Sequence, residues 1–293
     1  MKNKILSAVL VMSVFASAHA QIDLEKIGVN LNDRALGAVQ KGMAGFMFSD
    51  ADAAALSKQA VDKMDTENKV AGPKDPYTIR LERVFGKHKN ENGLALNYKV
   101  YLIKEVNAFA TADGSVRVFS GLMDIMDDNE LLAVIGHEIG HVANHDSRDA
   151  MKAAYQKEAL IDAAASQSDK VAKVTDSQIG KIGNAILASK HSRKQESEAD
   201  IYAYDFLKRN KYNVNAEESA FNILASMSEG KEASFIDRMM SSHPDSKDRA
   251  ADAKKRAEAD GLYKPYVKQT AKATTTKKTT TKKATTKKTT KKK

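Results

Sequence analysis

The sequence predicts an α+β protein that is mainly α-helical, with one small antiparallel sheet. Residues 99–106 alternate and are rich in Val, Tyr, Leu and Ile, and Asp113-Gly114 lies between the extended arms that follow. This pattern is typical of strands joined by a tight turn. Beyond residue 148 the pattern is almost wholly helical, with alanine-rich segments near 149–165, 177–190, 192–209, 215–229 and 245–259.

The N-terminal segment predicts export. Lys2 and Lys4 precede an apolar run over 5–15, and Ala18-His19-Ala20 has the form of a cleavage site. Residues 1–20 are therefore predicted to be a signal peptide cleaved after Ala20. No later apolar run approaches the roughly 20 residues that a spanning helix needs, so no transmembrane span is expected. The chain has no cysteine, which excludes a disulfide framework and a cysteine-based metal site.

The C-terminal segment 264–293 contains 12 Lys and no Asp or Glu, with threonine runs between the lysines. It is predicted to be a disordered basic tail. Because the whole chain carries a formal net charge of +9, the remainder is net acidic. Such a tail can bind an anionic envelope surface. A solubilising extension is the alternative, and nucleic acid is the least expected partner.

The residues between these ends, 21–263, are enough for one domain with a sizeable core. Its N-terminal part, about 21–70, is expected to be helical. Met43, Phe46, Met47 and Phe48 stand among glycines there. Core packing is the expected use of these side chains, and a partner or membrane-surface patch is the alternative.

The pentapeptide His137-Glu138-Ile139-Gly140-His141 carries the strongest chemical signal, because it spells HExxH. Residues four apart lie on one face of a helix, so both imidazoles can bind one ion while Glu138 points beside it. Asp127 and Glu130 predict a capping box at the start of this helix. Gly140 predicts the close approach of another element. The alternative is an ordinary core helix whose histidines are satisfied by hydrogen bonds.

A catalytic zinc needs a third protein ligand. Asn144 and Ser147 stand where the HExxHxxGxxH class has Gly and His, which excludes that class. His145 lies one further turn on, off the ion, and is expected to be a helix-end or surface residue. Glu196 and Asp200 lie one turn apart in an ExxAD pattern. One carboxylate can then bind zinc while the other holds an imidazole. A solvated acidic turn is the alternative.

Four motifs occur along the chain in the order Asn107-Ala108-Phe109-Ala110, HEIGH, the ESEAD glutamate 59 residues after His137, and Ser242-His243-Pro244 with Arg249. Together they resemble the gluzincin metallopeptidases of the HtpX and CAAX prenyl protease family, especially its soluble periplasmic branch resembling BepA and LoiP. The resemblance runs from about residue 75 to 249. The sequence departs from that family in two ways. Ala250 stands where many relatives have a larger aliphatic residue, and membrane spans and the helical repeat domain of BepA are not expected here.

The resemblance implies a zincin-type fold with one Zn²⁺ per chain. The zinc ligands would be His137, His141 and Glu196, the general base Glu138, and the carboxylate behind an imidazole Asp200. His243 would be a catalytic residue near the zinc or the reacting carbonyl. It is the first candidate for stabilising the oxyanion, ahead of Tyr202 and Tyr204.

A sheet edge before the HExxH helix can hydrogen-bond an extended peptide. Asn107 and Ala108 are therefore expected to bind substrate, although Asn107 can also be a simple strand-end residue. The expected function is that of an exported zinc endopeptidase acting on unfolded or misassembled cell-envelope proteins. The expected location is the periplasm, with an association with the outer membrane. The alternatives are a zinc-containing, chaperone-like binding protein and a tether whose functional element is the basic tail.

Overall fold

The computed structural model describes residues 48–91, 93–162, 175–229, 233–244 and 246–269, and for 156–162 it describes the backbone only. The predicted signal peptide, Met43, Phe46, Met47 and most of the basic tail lie outside the described residues.

The described chain forms helices around one three-stranded sheet. The N-terminal half contains α1 (Asp50–Glu67), α2 (Pro76–Phe85), β1 (Asn90–Glu91), β2 (Leu94–Ala95), β3 (Asn97–Tyr101), β4 (Ala108–Ala110), β5 (Ser115–Phe119), α3 (Ser120–Ile125) and α4 (Asp128–Ala143). The C-terminal half contains α5 (Asp146–Asp162), α6 (Asp176–Leu187), α7 (Arg193–Arg209), α8 (Ala216–Ser228), a 3₁₀ turn (Ala233–Phe235), α9 (Asp237–Ser242) and α10 (Ser246–Ala259). The predicted fold class is confirmed, and each predicted helical segment after residue 148 contains a helix.

The three-stranded sheet has the order β3-β5-β4. β4 and β5 form the predicted antiparallel hairpin, and Gly114 of its Asp-Gly turn has φ 82°, a conformation that favours glycine. β3 instead pairs with β5 in parallel, which differs from the wholly antiparallel sheet that was expected. The chain leaves β3 through 102–107 and enters β4 on the far side of β5, so β3 and β5 run in the same direction. This order leaves β4 at an edge.

Helix α4 is the buried centre of the molecule. Asp127 is its N-cap, and the predicted capping box with Glu130 is present. Helix α7 packs closely against it: a Cβ built on Gly140 would lie 3.0 Å from the Cα and the carbonyl oxygen of Ala199. The predicted close approach at Gly140 is therefore confirmed. Because α7 lies this near, its inward face is brought within reach of side chains on α4.

Helix α1 packs against the three-stranded sheet. Asp65 near its end accepts hydrogen bonds from Arg117 on β5, at 2.8 Å to Nε, and from Tyr101 on β3, at 2.7 Å. Phe48, just before α1, is buried with its ring centroid 5.6 Å from that of Tyr155 on α5. Phe48 thus packs in the core, as expected.

The chain after α10 returns to the start of α4. The Tyr266 hydroxyl donates to Asp127 at 2.7 Å, and the Gln269 N–H donates to the same carboxylate at 2.7 Å. Tyr266 and the Gln269 backbone therefore contact the body of the protein within the segment that was predicted to be a tail. The lysine-rich composition of this segment did not indicate the contact that Tyr266 makes. In the described part of the chain, no helix combines the length and apolarity needed to cross a membrane.

Candidate active site

Four buried side chains from three parts of the chain converge. They are His137 and His141 of α4, Glu196 of α7, and His243, which directly follows α9; one donor atom of each lies within 4.8 Å of the others. The two Nε2 atoms of His137 and His141 are 3.0 Å apart. The Oε1 of Glu196 lies 3.4 Å from the His141 Nε2, and its Oε2 lies 3.6 Å from the His137 Nε2.

This spacing fits a zinc ion. Ligand nitrogens and oxygens at about 2.0–2.1 Å from a tetrahedral zinc are about 3.3 Å from each other. The observed separations of 3.0, 3.4 and 3.6 Å bracket that value. A set of two imidazoles and one carboxylate is also the donor chemistry that zinc accepts.

The second ring nitrogen of His137 faces Asp200. Its Nδ1 is 2.8 Å from the Asp200 Oδ1. Arg249 of α10 donates to both oxygens of Asp200, at 2.7 and 3.0 Å, and its Nη1 lies 2.6 Å from Glu196. Burial raises the pKa of Asp200, but the Arg249 charge outweighs it and lowers the pKa to about 2. Arg249 therefore keeps Asp200 ionised.

The second ring nitrogen of His141 faces Asp146, a residue that the sequence analysis did not single out. The distance from Nδ1 to the Asp146 Oδ2 is 2.8 Å, and Gln195 donates to the other oxygen at 2.8 Å. The turn at His145, with φ 66°, separates α4 from α5 and brings Asp146 beside Nδ1 of the His141 ring. The side chain of His145 is 55% exposed, as expected of a surface residue. In the sequence, the only sign of this contact was an aspartate five residues after His141.

Glu138 lies beside this cluster. Its side chain is buried, and its Oε1 has no hydrogen-bond partner among the described residues. Burial raises the pKa of the Glu138 carboxyl. His243 has its Nε2 3.6 Å from the Glu138 Oε1 and its Nδ1 3.0 Å from the Glu196 Oε1. His243 therefore lies between the two glutamates and, of the two, is hydrogen-bonded to Glu196 alone.

The two imidazoles on α4 differ in proton affinity. Burial lowers the pKa of His137 to about 3. Burial also disfavours a charge on His141, but the contacts with Asp146 and Glu196 outweigh it and raise its pKa to about 9. Burial would raise the pKa of Glu196, yet the bonds to His141 and His243 hold it far below its usual range. A proton on His141 thus competes with a metal ion.

A cleft that is open to solvent is lined by Glu138, His141 and His243, and also by Asn107 and Ala108. The Asn107 Oδ1 accepts from the Ala108 N–H at 2.9 Å. Hydrogen-bonded and outward residues alternate along an antiparallel strand. Since Asn107 and Thr111 bond to β5, the backbone groups of Ala108 and Ala110 point away from β5, where Ser147 donates to the Ala110 carbonyl at 3.2 Å.

Tyr202 and Tyr204 are not in this cleft. The Tyr204 hydroxyl donates to Asp260 at 2.7 Å, and the Tyr202 hydroxyl lies 3.4 Å from Glu91. Both contacts lie away from the four converging side chains, so the expectation that either tyrosine stabilises an oxyanion is wrong. On helix α7 these two residues lie on faces other than the one that carries Glu196.

A helix that supplies two imidazoles and a glutamate, facing a carboxylate from a second helix, defines a metallopeptidase site. The model of Peptidase family M48 matches residues 79–257. The chain belongs to this family and is a metalloendopeptidase, which confirms the resemblance carried by HEIGH and ESEAD.

Two relatives from Escherichia coli K12 match most of the chain. Metalloprotease LoiP is 41% identical over 218 residues, which cover 74% of this chain and 85% of that protein. Metalloprotease YcaL is 42% identical over 204 residues, covering 69% and 79%. Protease HtpX of Nitrosococcus oceani is 30% identical over 149 residues, covering 48% and 49%.

Proposed function

We propose that the protein is a zinc-dependent endopeptidase in which His137, His141 and Glu196 hold one Zn²⁺. The observation that carries this proposal is the 3.0–3.6 Å spacing of their donor atoms. Zinc bound there would lower the pKa of a water toward about 7 and polarise the scissile carbonyl. Asp200 and Asp146 would orient the two imidazoles through their other ring nitrogens.

Glu138 is the proposed general base. It is buried next to the ligands, and its Oε1 has no competing hydrogen bond among the described residues. Its raised pKa makes it a better proton acceptor than an exposed glutamate. Glu138 would take the proton from the attacking water and later deliver a proton to the leaving amine.

The substrate backbone is proposed to bind along β4. The outward Ala108 C=O and Ala110 N–H can each bond an extended peptide, as in strand addition at a sheet edge. Asn107 would act through its amide, whose oxygen already fixes the Ala108 N–H. Backbone pairing requires an extended chain and depends little on the identity of the side chains. An unfolded polypeptide meets both conditions.

The proposed setting is the cell envelope. The predicted signal peptide supports export to the periplasm, and the predicted basic tail supports contact with an anionic envelope surface or the outer membrane. Unfolded or misassembled envelope proteins are the proposed substrates.

The test uses the purified mature protein. Its zinc content and its cleavage of casein, an unfolded protein, are measured with and without a chelator. We expect about one zinc per chain and chelator-sensitive cleavage. Glu138→Gln should keep zinc and lose cleavage by about 10²–10⁴-fold, while Glu198→Gln on the exposed side of α7 should behave as wild type. Unchanged turnover in Glu138→Gln would refute the general-base assignment.

A second candidate function is a chaperone-like binding protein, and the position of His243 favours it. Its Nδ1 is 3.3 Å from the His137 Nε2 and 3.0 Å from Glu196, so it can occupy the place that a substrate carbonyl needs. This candidate predicts an inactive wild type and a cleaving His243→Ala variant. The endopeptidase proposal predicts an active wild type and a lower kcat in the variant.

A further inference from the structure

His191, in the connection between α6 and α7, lies face to face with His141. The ring centroids are 3.8 Å apart, and the planes differ by 15°. His191 is half-buried and lines the same cleft as Glu138 and His243. None of the motifs in the sequence includes it.

His191 does not share an ion with His141. His141, Asp146 and His191 have donor atoms within 4.8 Å of one another, which at first suggests a second metal site. Imidazole lone pairs lie in the plane of the ring, however. Because the two rings are stacked and nearly parallel, an ion in the plane of one ring lies outside the plane of the other. The interaction between the two residues is therefore ring to ring.

The stack constrains a motion that Asp146 alone leaves open. The hydrogen bond that Nδ1 of His141 donates to Asp146 holds one edge of the ring. A ring held at one atom can still rock about that contact, which would move its Nε2 relative to Glu196. A second ring stacked against its face opposes this rocking.

The backbone at His191 joins the segments that carry the other candidate ligands. Its N–H donates to the carbonyl of Ser242, the residue before His243, at 3.2 Å. The next residue, Ser192, is the N-cap of α7, which carries Glu196. In the parts of the chain that the structure describes, no hydrogen bond reaches the ring nitrogens of His191. The face of the ring, and not its nitrogens, makes the contact.

We propose that His191 is a positioning residue that holds the His141 imidazole in the orientation required for metal binding by stacking on its face. This inference rests on the proposed function, since it takes His141 to be a metal ligand. On this inference, the connection between α6 and α7 helps to form the metal site.

The test compares His191→Leu, which keeps bulk but loses the aromatic face, with His191→Phe, which keeps the face but loses both ring nitrogens. Zinc affinity is measured by competition with a chromophoric chelator, and the visible spectrum is recorded with Co²⁺ in place of zinc. His191→Leu should lose about 10–100-fold in zinc affinity and show altered Co²⁺ bands. His191→Phe should stay within a few-fold of wild type. Lys190→Ala, at the exposed residue directly before His191, is the control.

Unfolding of the metal-free variants shows that neither replacement has damaged the fold, and His191→Ala serves if the leucine does not fit. Wild-type zinc affinity in the folded leucine or alanine variant would overturn the inference. Equal losses in the leucine and phenylalanine variants would also overturn it, because they would assign the role to the ring nitrogens. If wild type itself binds no zinc, or His137→Ala binds it as well as wild type does, the proposed function fails instead.

Discussion

Ala199 of α7 lies directly against Gly140 of α4, so closely that a Cβ on the glycine would be 3.0 Å from the Cα and the carbonyl oxygen of Ala199. Glu196 precedes Ala199 by one helical turn, and His141 follows Gly140. The contact between two small residues therefore sets the distance between Glu196 and the two imidazoles.

Gly140→Ala should weaken the site although alanine favours a helix. The new Cβ must push α7 away by a few tenths of an ångström, and overpacking of this kind costs about 1–3 kcal/mol. We expect a lower unfolding free energy in urea and a lower zinc affinity. Gly180→Ala is the matched control, since its Cβ would meet the flexible end of Lys63 at 3.1 Å. It should be neutral or stabilising by up to about 1 kcal/mol. Equal behaviour of the two variants would contradict the close-approach argument.

Glu196→Ala should lose zinc together with activity, because two imidazoles alone hold the ion poorly. Metal content after dialysis should fall well below one per chain, and casein cleavage should be abolished. Glu198→Ala is the control, because the Glu198 side chain is 45% exposed and lies 3.6 Å from Lys194. A Glu196→Ala protein that still holds one zinc per chain would require a different third ligand.

Asp65 should make stability depend on acid pH. Burial raises the pKa of its carboxyl, but the bonds from Arg117, Lys99 and Tyr101 outweigh it and lower the pKa to about 2. Because this value lies below that of an unfolded Asp, about 3.9, the stabilisation is complete above that pH. It is lost as the pH falls toward 2. Urea unfolding at pH values between 2.5 and 7 measures it.

Asp65→Asn should flatten this acid dependence and lower stability at pH 7. Arg117 is only 2% exposed, and removal of its carboxylate partner leaves a buried charge, which costs about 3–5 kcal/mol. Asp62→Asn, at a side chain that is 61% exposed, is the control. An unaltered acid transition in Asp65→Asn would show that other carboxylates govern it.

Two truncations should locate the end of the packed body. Deletion of 270–293 keeps the bonds of Tyr266 and Gln269 to Asp127 and should leave the Tm unchanged. Deletion of 264–293 removes them, and each lost bond to this buried carboxylate costs about 1–3 kcal/mol. Tyr266→Phe in the full chain should reproduce about 1 kcal/mol of that loss. Equal Tm values for the two truncations would support the predicted boundary at residue 264.

Some features of the site were predictable because they depend on local periodicity. The capping box of Asp127 and Glu130 follows from their spacing of three residues. The shared face of His137 and His141, and that of Glu196 and Asp200, follow from a spacing of four. The Asp-Gly turn before β5 is equally local. The sequence could not by itself show which elements pack against those faces.

The sequence by itself determined the family, the main helices and the side chains that each helix offers to one face, since 3.6 residues per turn apply wherever a helix forms. Tertiary structure decided the partners. Asp146 reaches His141 only through the turn at His145, and Arg249 reaches Asp200 and Glu196 only because α10 packs beside α7. Tertiary structure also decided the parallel pairing of β3 with β5 and the contact of Tyr266 with Asp127. Such contacts depend on the path of whole segments, which the spacing of residues within one helix does not fix.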